Sequence, residues 1–161
     1  MSFEERLQRA VERGSRTAAA RDQAQTERAW SEEEFKNLHS QFRLEISEHI
    51  EECLRKMPDH FPGFRYSAVM SADGWGAVIV RDDVGQASGG RVQNFYSRLE
   101  LLVRPYSSVH VLDLTGKGTI RNKEVFHRSH FQRLQEVNLD TFRELIDAWV
   151  VDYAEVYAAQ K

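Results

Sequence analysis

Side chains that bind metals or transfer protons recur along one stretch of the chain. Glu45, His49 and Cys53 are four residues apart, so on an α-helix they lie on one face. A carboxylate, an imidazole and a thiol can together bind a transition metal. The stretch lacks the Glu-x-x-His pairs of di-iron bundles and the His-Glu-x-x-His motif of zinc proteases, and no second helix with matching ligands is evident. We therefore expect hydrogen-bonded histidines at the edge of a core, and neither a metal nor a cofactor.

Nucleophilic catalysis has no recognisable motif in this sequence. Gly-x-Ser-x-Gly is absent, and Cys53 follows Glu51 and Glu52, whose charge raises a thiol pKa. His127 and His130 form a His-x-x-His, but arginines close to them would repel a metal ion. We predict no catalytic residue. A minor alternative is an enzyme that uses His39, His49 and Glu45 in a pocket under a sheet.

Two loops resemble ligand-binding motifs without matching them. Residues 116–119 read Gly-Lys-Gly-Thr, but the glycine that a phosphate-binding loop needs five residues earlier is Val111. We interpret residues 116–118 as a turn. Asp82 and Asp83 begin a glycine-containing stretch without the spacing of an EF-hand, and we interpret residues 82–91 as a solvated hairpin loop.

Basic residues are concentrated in the middle of a chain whose net charge is −3. Residues 91–135 carry eight basic residues against three acidic ones. Cations interleaved with aromatic rings are typical of single-strand nucleic-acid binding. The candidate partner-binding residues in this region are Tyr96, Arg98, Arg104, Arg121 and Lys123. A sequence pI near 6.1 favours a solvated face or an interface to an acidic protein, with nucleic-acid or phosphate-ligand binding as the alternative.

The elements that position these residues begin with two predicted helices. Residues 1–30 are rich in helix-forming residues, but their apolar stripe of Phe3, Leu7 and Ala10 is thin, so we expect a helical arm that is free to fray or to engage a partner. Ser31 and Glu34 form a capping box, which predicts that a second amphipathic helix begins there and ends before Pro58.

A run of strands and a final helix complete the predicted fold. The periodicity predicts strands at residues 64–70, 75–80, 94–104 and 109–114. Residues 119–126 are a candidate fifth strand, in which residues 121–124 are either strand or turn. Asn138 or Asp140 caps a helix that extends to Ala159 and has an aromatic apolar face. This order predicts an α+β fold, in which an antiparallel meander of four to five strands is packed on one face by two amphipathic helices. Residues 31–161 are then one domain. In element order the chain is similar to small α+β secretion chaperones, which bind extended client segments.

Composition limits the remaining classes. The chain has 161 residues and a single cysteine, which predicts one main domain without a disulfide framework and a cytoplasmic location. No apolar run is long enough for a membrane span. Val151 stands on the polar side of the last helix. We therefore expect a non-enzymatic protein-binding or adaptor module, in which Val151, the arm or an exposed edge strand contacts a protein partner or a second copy in a homodimer.

Overall fold

A single antiparallel sheet and two long helices make up the fold. The computed structural model describes residues 2–86 and 89–160, without the side chains of residues 26–31 and Gln86. In chain order the elements are α1 (Phe3–His60), β1 (Arg65–Ser71), β2 (Gly74–Gln86), β3 (Val92–Val103), β4 (Val111–Ile120), β5 (Lys123–Arg133), a short 3-10 turn (Leu134–Glu136) and α2 (Leu139–Ala159). The strands pair in the order β1-β2-β3-β4-β5, which confirms the predicted α+β meander.

The chain divides into two compact units, residues 1–37 and residues 38–161. The first unit is helical throughout its described residues. The second contains the sheet, α2 and the remainder of α1. In the described part of the chain, no helix combines the length and the apolar character that crossing a membrane requires.

Helix α1 differs from the two helices that the sequence predicted. It runs without interruption from Phe3 to His60, so no helix begins at Ser31. The residues on both sides of this position are mostly good helix formers, and a capping sequence has an effect only where a helix actually starts. The side-chain contacts of Ser31 lie outside the described residues. Pro58 is tolerated in the last turn, and the helix ends at His60, three residues later than predicted.

The strand bounds correct two sequence predictions. Strand β2 continues through Asp82 and Asp83, which the sequence placed in a loop. Residues 116–118 lie inside β4 and do not form a turn. The β4–β5 turn is instead at Arg121 and Asn122, whose φ angles of 47° and 71° are positive. Glycine is the usual residue at such positions, so the sequence pattern favoured the wrong place.

One face of the sheet carries the core. Alternate residues of the central strands, such as Leu99 and Leu101, are fully buried there. Helix α1 packs its buried Ile46, Ile50 and Leu54 towards this core, and α2 contributes Phe142, Ile146 and Tyr153. The guanidinium of Arg43 on α1 lies 3.5 Å from the centre of the Trp75 ring at the start of β2.

Glycines in β4 allow α2 to approach the sheet closely. A Cβ atom added to Gly116 would lie 2.7 Å from Cε3 of Trp149, and one added to Gly118 would lie 3.0 Å from Cδ2 of Tyr153. The Tyr153 hydroxyl donates a hydrogen bond of 2.9 Å to the carbonyl oxygen of Thr119. The positions that the sequence assigned to a turn are therefore where aromatic rings of α2 contact the strand.

Candidate binding groove between the two helices

An ion pair and a histidine–carboxylate contact join α1 to α2. Glu45 pairs with Arg143 at 3.7 Å, and His49 pairs with Asp147 at 2.8 Å. The second contact lies four residues after the first on both helices, so α1 and α2 run in the same direction. Since four residues separate them on each helix, the two contacts lie about one helical turn apart along the seam between the helices.

Beyond the second contact the seam opens into an apolar groove with a volume of about 560 Å³. Met57 and Val150 are buried there, whereas Val151 is 62% exposed. The lining consists of Cys53, Lys56, Met57, His60, Phe61, Asp147, Val150, Val151 and Ala154. Val151, which the sequence placed on the polar side of the last helix, therefore lies beside the apolar lining of a groove.

A polar cluster marks the upstream end of this groove. The Nε2 atom of His49 lies 2.8 Å from Oδ1 of Asp147, and the Cys53 thiol donates a hydrogen bond of 3.3 Å to the same oxygen. The Sγ atom of Cys53 is 3.6 Å from Nε2 of His49. Burial, followed by the hydrogen bond and negative charge of Asp147, raises the pKa of the Cys53 thiol to about 12. The thiol is therefore protonated at neutral pH, which does not suit a nucleophile.

The sequence identified two members of this cluster and missed the third. It grouped His49 and Cys53 with Glu45, but Glu45 faces Arg143, and Asp147 occupies the third position. Nothing in the local sequence around Asp147 indicates this contact, because Asp147 lies 98 residues from His49 along the chain. Only the pairing of the two helices brings them together.

The remaining histidines do not join this cluster. His39 is ten residues before His49 on the same helix, a separation of about 15 Å. It is buried, and its ring meets that of Tyr106 edge to face at 5.7 Å. The minor enzymatic alternative requires His39, His49 and Glu45 to line one pocket, and they do not converge on one. His130 packs on the ring of Phe142, while His127 is in register with Lys117 on the opposite face.

The predicted basic residues are divided between several parts of the sheet. Tyr96 and Arg98 lie on the face opposite the helices, because the alternate residues Ser97 and Leu99 are buried beneath them. Arg121 lies in the β4–β5 turn with its guanidinium 4.4 Å from the centre of the Phe95 ring.

The other predicted partner-binding residues are further apart. Lys123 is the first residue of β5, close to Arg121. Arg104 follows the end of β3 at the opposite end of the sheet, where its backbone N–H donates to the carbonyl oxygen of Asp113. Val151 lies on α2. The structure therefore brings Tyr96, Arg98, Arg121 and Lys123 near one end of the sheet and separates Arg104 and Val151 from them.

Acidic side chains accompany several cations of the open sheet face. Arg98 forms an ion pair with Glu100 at 2.5 Å, and Arg65 forms one with Asp82 at 3.4 Å. Neighbouring carboxylates reduce the positive potential that a nucleic-acid backbone would meet. Binding of nucleic acid through this face stays a prediction.

Protein-family models, curated proteins and solved structures were each compared with the chain, and none gave a significant match.

Proposed function

We propose that this protein is a non-enzymatic protein-binding or adaptor module, and that its apolar groove between α1 and α2 holds a short amphipathic helix. The observation that carries the proposal is the groove itself, where the 62%-exposed Val151 lies beside the buried Met57 and Val150. Exposed apolar surface at a concave site is typical of a binding site for protein. A helix that inserts apolar side chains at intervals of three or four residues is a common occupant of such grooves.

The proposed occupant is the amino-terminal helical segment of a second copy. Phe3, Leu7 and Val11 are 74%, 52% and 61% exposed, and their spacing of four residues makes a ridge along one side of the helix. The ridge is about 12 Å long, and the groove follows α1 for about 10 Å, from Cys53 to His60. The lengths of ridge and groove therefore agree to within about one residue of helix.

Charge also supports this occupant. The first turn of α1 contains Glu4 and Glu5, directly beside the ridge. Lys56 lines the groove and carries the opposite charge, while the carboxylate of Asp147, which also lines the groove, is occupied by its contact with His49. Attraction of this kind favours encounter and orientation more than affinity, while burial of the apolar side chains supplies the affinity.

Sedimentation velocity over a range of concentrations tests the proposal. We expect the wild-type chain to form a concentration-dependent homodimer. Val151→Asp and Leu7→Asp each place a carboxylate in the proposed interface and are expected to raise the dissociation constant at least about 10-fold, which corresponds to about 1.4 kcal/mol. Val156→Asp is the matched control, since Val156 is an exposed valine of α2 that does not line the groove.

The variants separate this proposal from its alternatives. A monomeric wild-type chain at every concentration contradicts self-association, and equal effects of Val151→Asp and Val156→Asp contradict the groove. Fluorescence anisotropy with a labelled single-stranded oligonucleotide tests the alternative function. Binding that falls steeply with salt and is weakened by Arg98→Ala would support the sheet face instead.

A further inference from the structure

The donor atoms of His49, Cys53 and Asp147 form a small triangle between α1 and α2. All three atoms lie within 4.8 Å of one another. His49 and Cys53 lie on successive turns of α1, and Asp147 lies on α2. The three side chains are therefore positioned by two helices that pack against the core. His49 and Cys53 are half-buried, and Asp147 is exposed.

The dimensions of this triangle agree with a tetrahedral zinc site. Bond lengths of about 2.3 Å to sulfur and about 2.0 Å to nitrogen and oxygen, with tetrahedral angles, place sulfur about 3.5 Å from each of the other donors and nitrogen about 3.3 Å from oxygen. The observed separations are 3.6 Å for Sγ to Nε2 and 3.3 Å for Sγ to Oδ1. Only the Nε2–Oδ1 distance of 2.8 Å must lengthen, by about 0.5 Å, when a cation replaces the hydrogen bond.

We propose that His49, Cys53 and Asp147 form a binding site for a divalent transition-metal ion, with Zn²⁺ as the favoured ion. An imidazole, a thiolate and a carboxylate are the three ligand types that zinc uses in proteins. Harder ions such as Mg²⁺ and Ca²⁺ prefer oxygen ligands alone and are disfavoured here. Three protein ligands leave the fourth position of the tetrahedron to water.

Binding requires two proton movements. The hydrogen on Nε2 of His49, which now points towards Oδ1 of Asp147, passes through solvent to Nδ1 or is released, so that Nε2 can offer its electron pair to the ion. The S–H bond of Cys53 breaks, its proton passes to solvent, and the sulfur donates the remaining electron pair to the metal ion. The positive charge of the ion stabilises the thiolate in place of the proton. The hydrogen bonds that His49 and Cys53 now make to Asp147 are replaced by three bonds to one ion.

Titration of the full-length protein with Co²⁺, which reports both geometry and ligand type, tests the proposal. We expect one equivalent to produce the visible bands of tetrahedral cobalt and a near-ultraviolet thiolate-to-cobalt band, and Zn²⁺ to displace it. Competition against a chromophoric chelator gives the Zn²⁺ affinity. Cys53→Ser, His49→Gln and Asp147→Asn should each weaken it by more than about 100-fold, beyond the cost of losing an outer-shell partner.

Two matched variants control for other donors on these helices. His60→Gln removes another imidazole that lines the groove, and Glu45→Gln removes the carboxylate one turn before His49. Both should keep the cobalt spectrum and the Zn²⁺ affinity. Circular dichroism melts establish that each variant is folded.

Three results would overturn the metal site. The first is a folded wild-type chain that gives no tetrahedral cobalt spectrum. The second is a thiolate-to-cobalt band that persists in Cys53→Ser. The third is a loss of affinity in His60→Gln as large as that in His49→Gln, which would assign binding to scattered histidines.

Discussion

The close approach of α2 to β4 predicts that Gly116→Ala destabilises the protein. The added Cβ would lie 2.7 Å from Cε3 and 3.1 Å from Cζ3 of Trp149, whereas carbon atoms in contact are normally about 3.5–4.0 Å apart. Overpacking of this kind costs about 1–3 kcal/mol. Alanine regains about 0.5–1 kcal/mol over glycine within a strand. Because 2.7 Å is far inside contact distance, the overpacking cost falls in the upper half of its range, about 2–3 kcal/mol. The net loss is then about 1–2.5 kcal/mol, which lowers the melting temperature by about 2–10 °C for a chain of this size.

Urea denaturation followed by tryptophan fluorescence and by circular dichroism measures this effect. Lys117→Ala is the control, because Lys117 is an exposed residue of the same strand and its replacement should change stability by less than about 0.5 kcal/mol. In the background of Trp149→Leu, the cost of Gly116→Ala should shrink. A Gly116→Ala protein that is as stable as the wild type, or costs that simply add, would refute the contact and favour the turn that the sequence predicted.

Two further predictions concern buried titratable groups. Burial, followed by the Arg43 cation, lowers the pKa of His39 from 6.5, and a hydrogen bond with the Arg104 backbone opposes this shift. Below about pH 6.5 the unfolded chain therefore binds a proton at His39 more readily than the folded chain does. The free energy of unfolding should fall as the pH decreases through this range. Urea midpoints measured between pH 7 and pH 5 should show a smaller fall in His39→Gln, and an equal fall would count against the assignment. Burial also raises the pKa of Asp113 above 3.8, against the effects of Arg104 and His130. The protonated carboxyl of Asp113 therefore contributes fully to stability at low pH, and this contribution declines as the carboxyl ionises. Asp113→Asn should thus raise the urea midpoint at pH 7 and leave it unchanged at pH 3, whereas a lower midpoint at pH 7 would mean that the charge is stabilising.

Periodic apolar patterns predicted most of the fold, because they report burial directly. Residues Ser97, Leu99 and Leu101 share one face of the predicted strand 94–104, and all three are buried. The last helix was predicted from Asp140 to Ala159, and α2 begins one residue earlier. Of the two caps that the sequence allowed, Asn138 and Asp140, the structure has Asn138, which accepts hydrogen bonds from the backbone of the first turn.

Glycine-based rules failed where packing competes with backbone freedom. Gly116 and Gly118 lack the Cβ atoms that would clash with the rings of Trp149 and Tyr153. The sequence alone does not distinguish a glycine that allows close packing from one that allows a turn. The real turn contains Asn122, which Tyr96 stabilises by donating its backbone N–H to the Asn122 side-chain oxygen. That contact joins residues 26 apart and has no local pattern.

The candidate site depends on information of the same long-range kind. His49 and Cys53 were recognisable because an i, i+4 spacing is local, whereas Asp147 reaches them only through helix packing. Asp147 and Val151 are one helical turn apart on α2 and both line the groove, but only Asp147 is a ligand of the proposed metal site. The two proposals can therefore be tested separately on one helix. Val151→Asp should weaken self-association at least about 10-fold and retain cobalt binding, whereas Asp147→Asn should weaken metal binding more than about 100-fold and leave the apolar side chains of the groove in place.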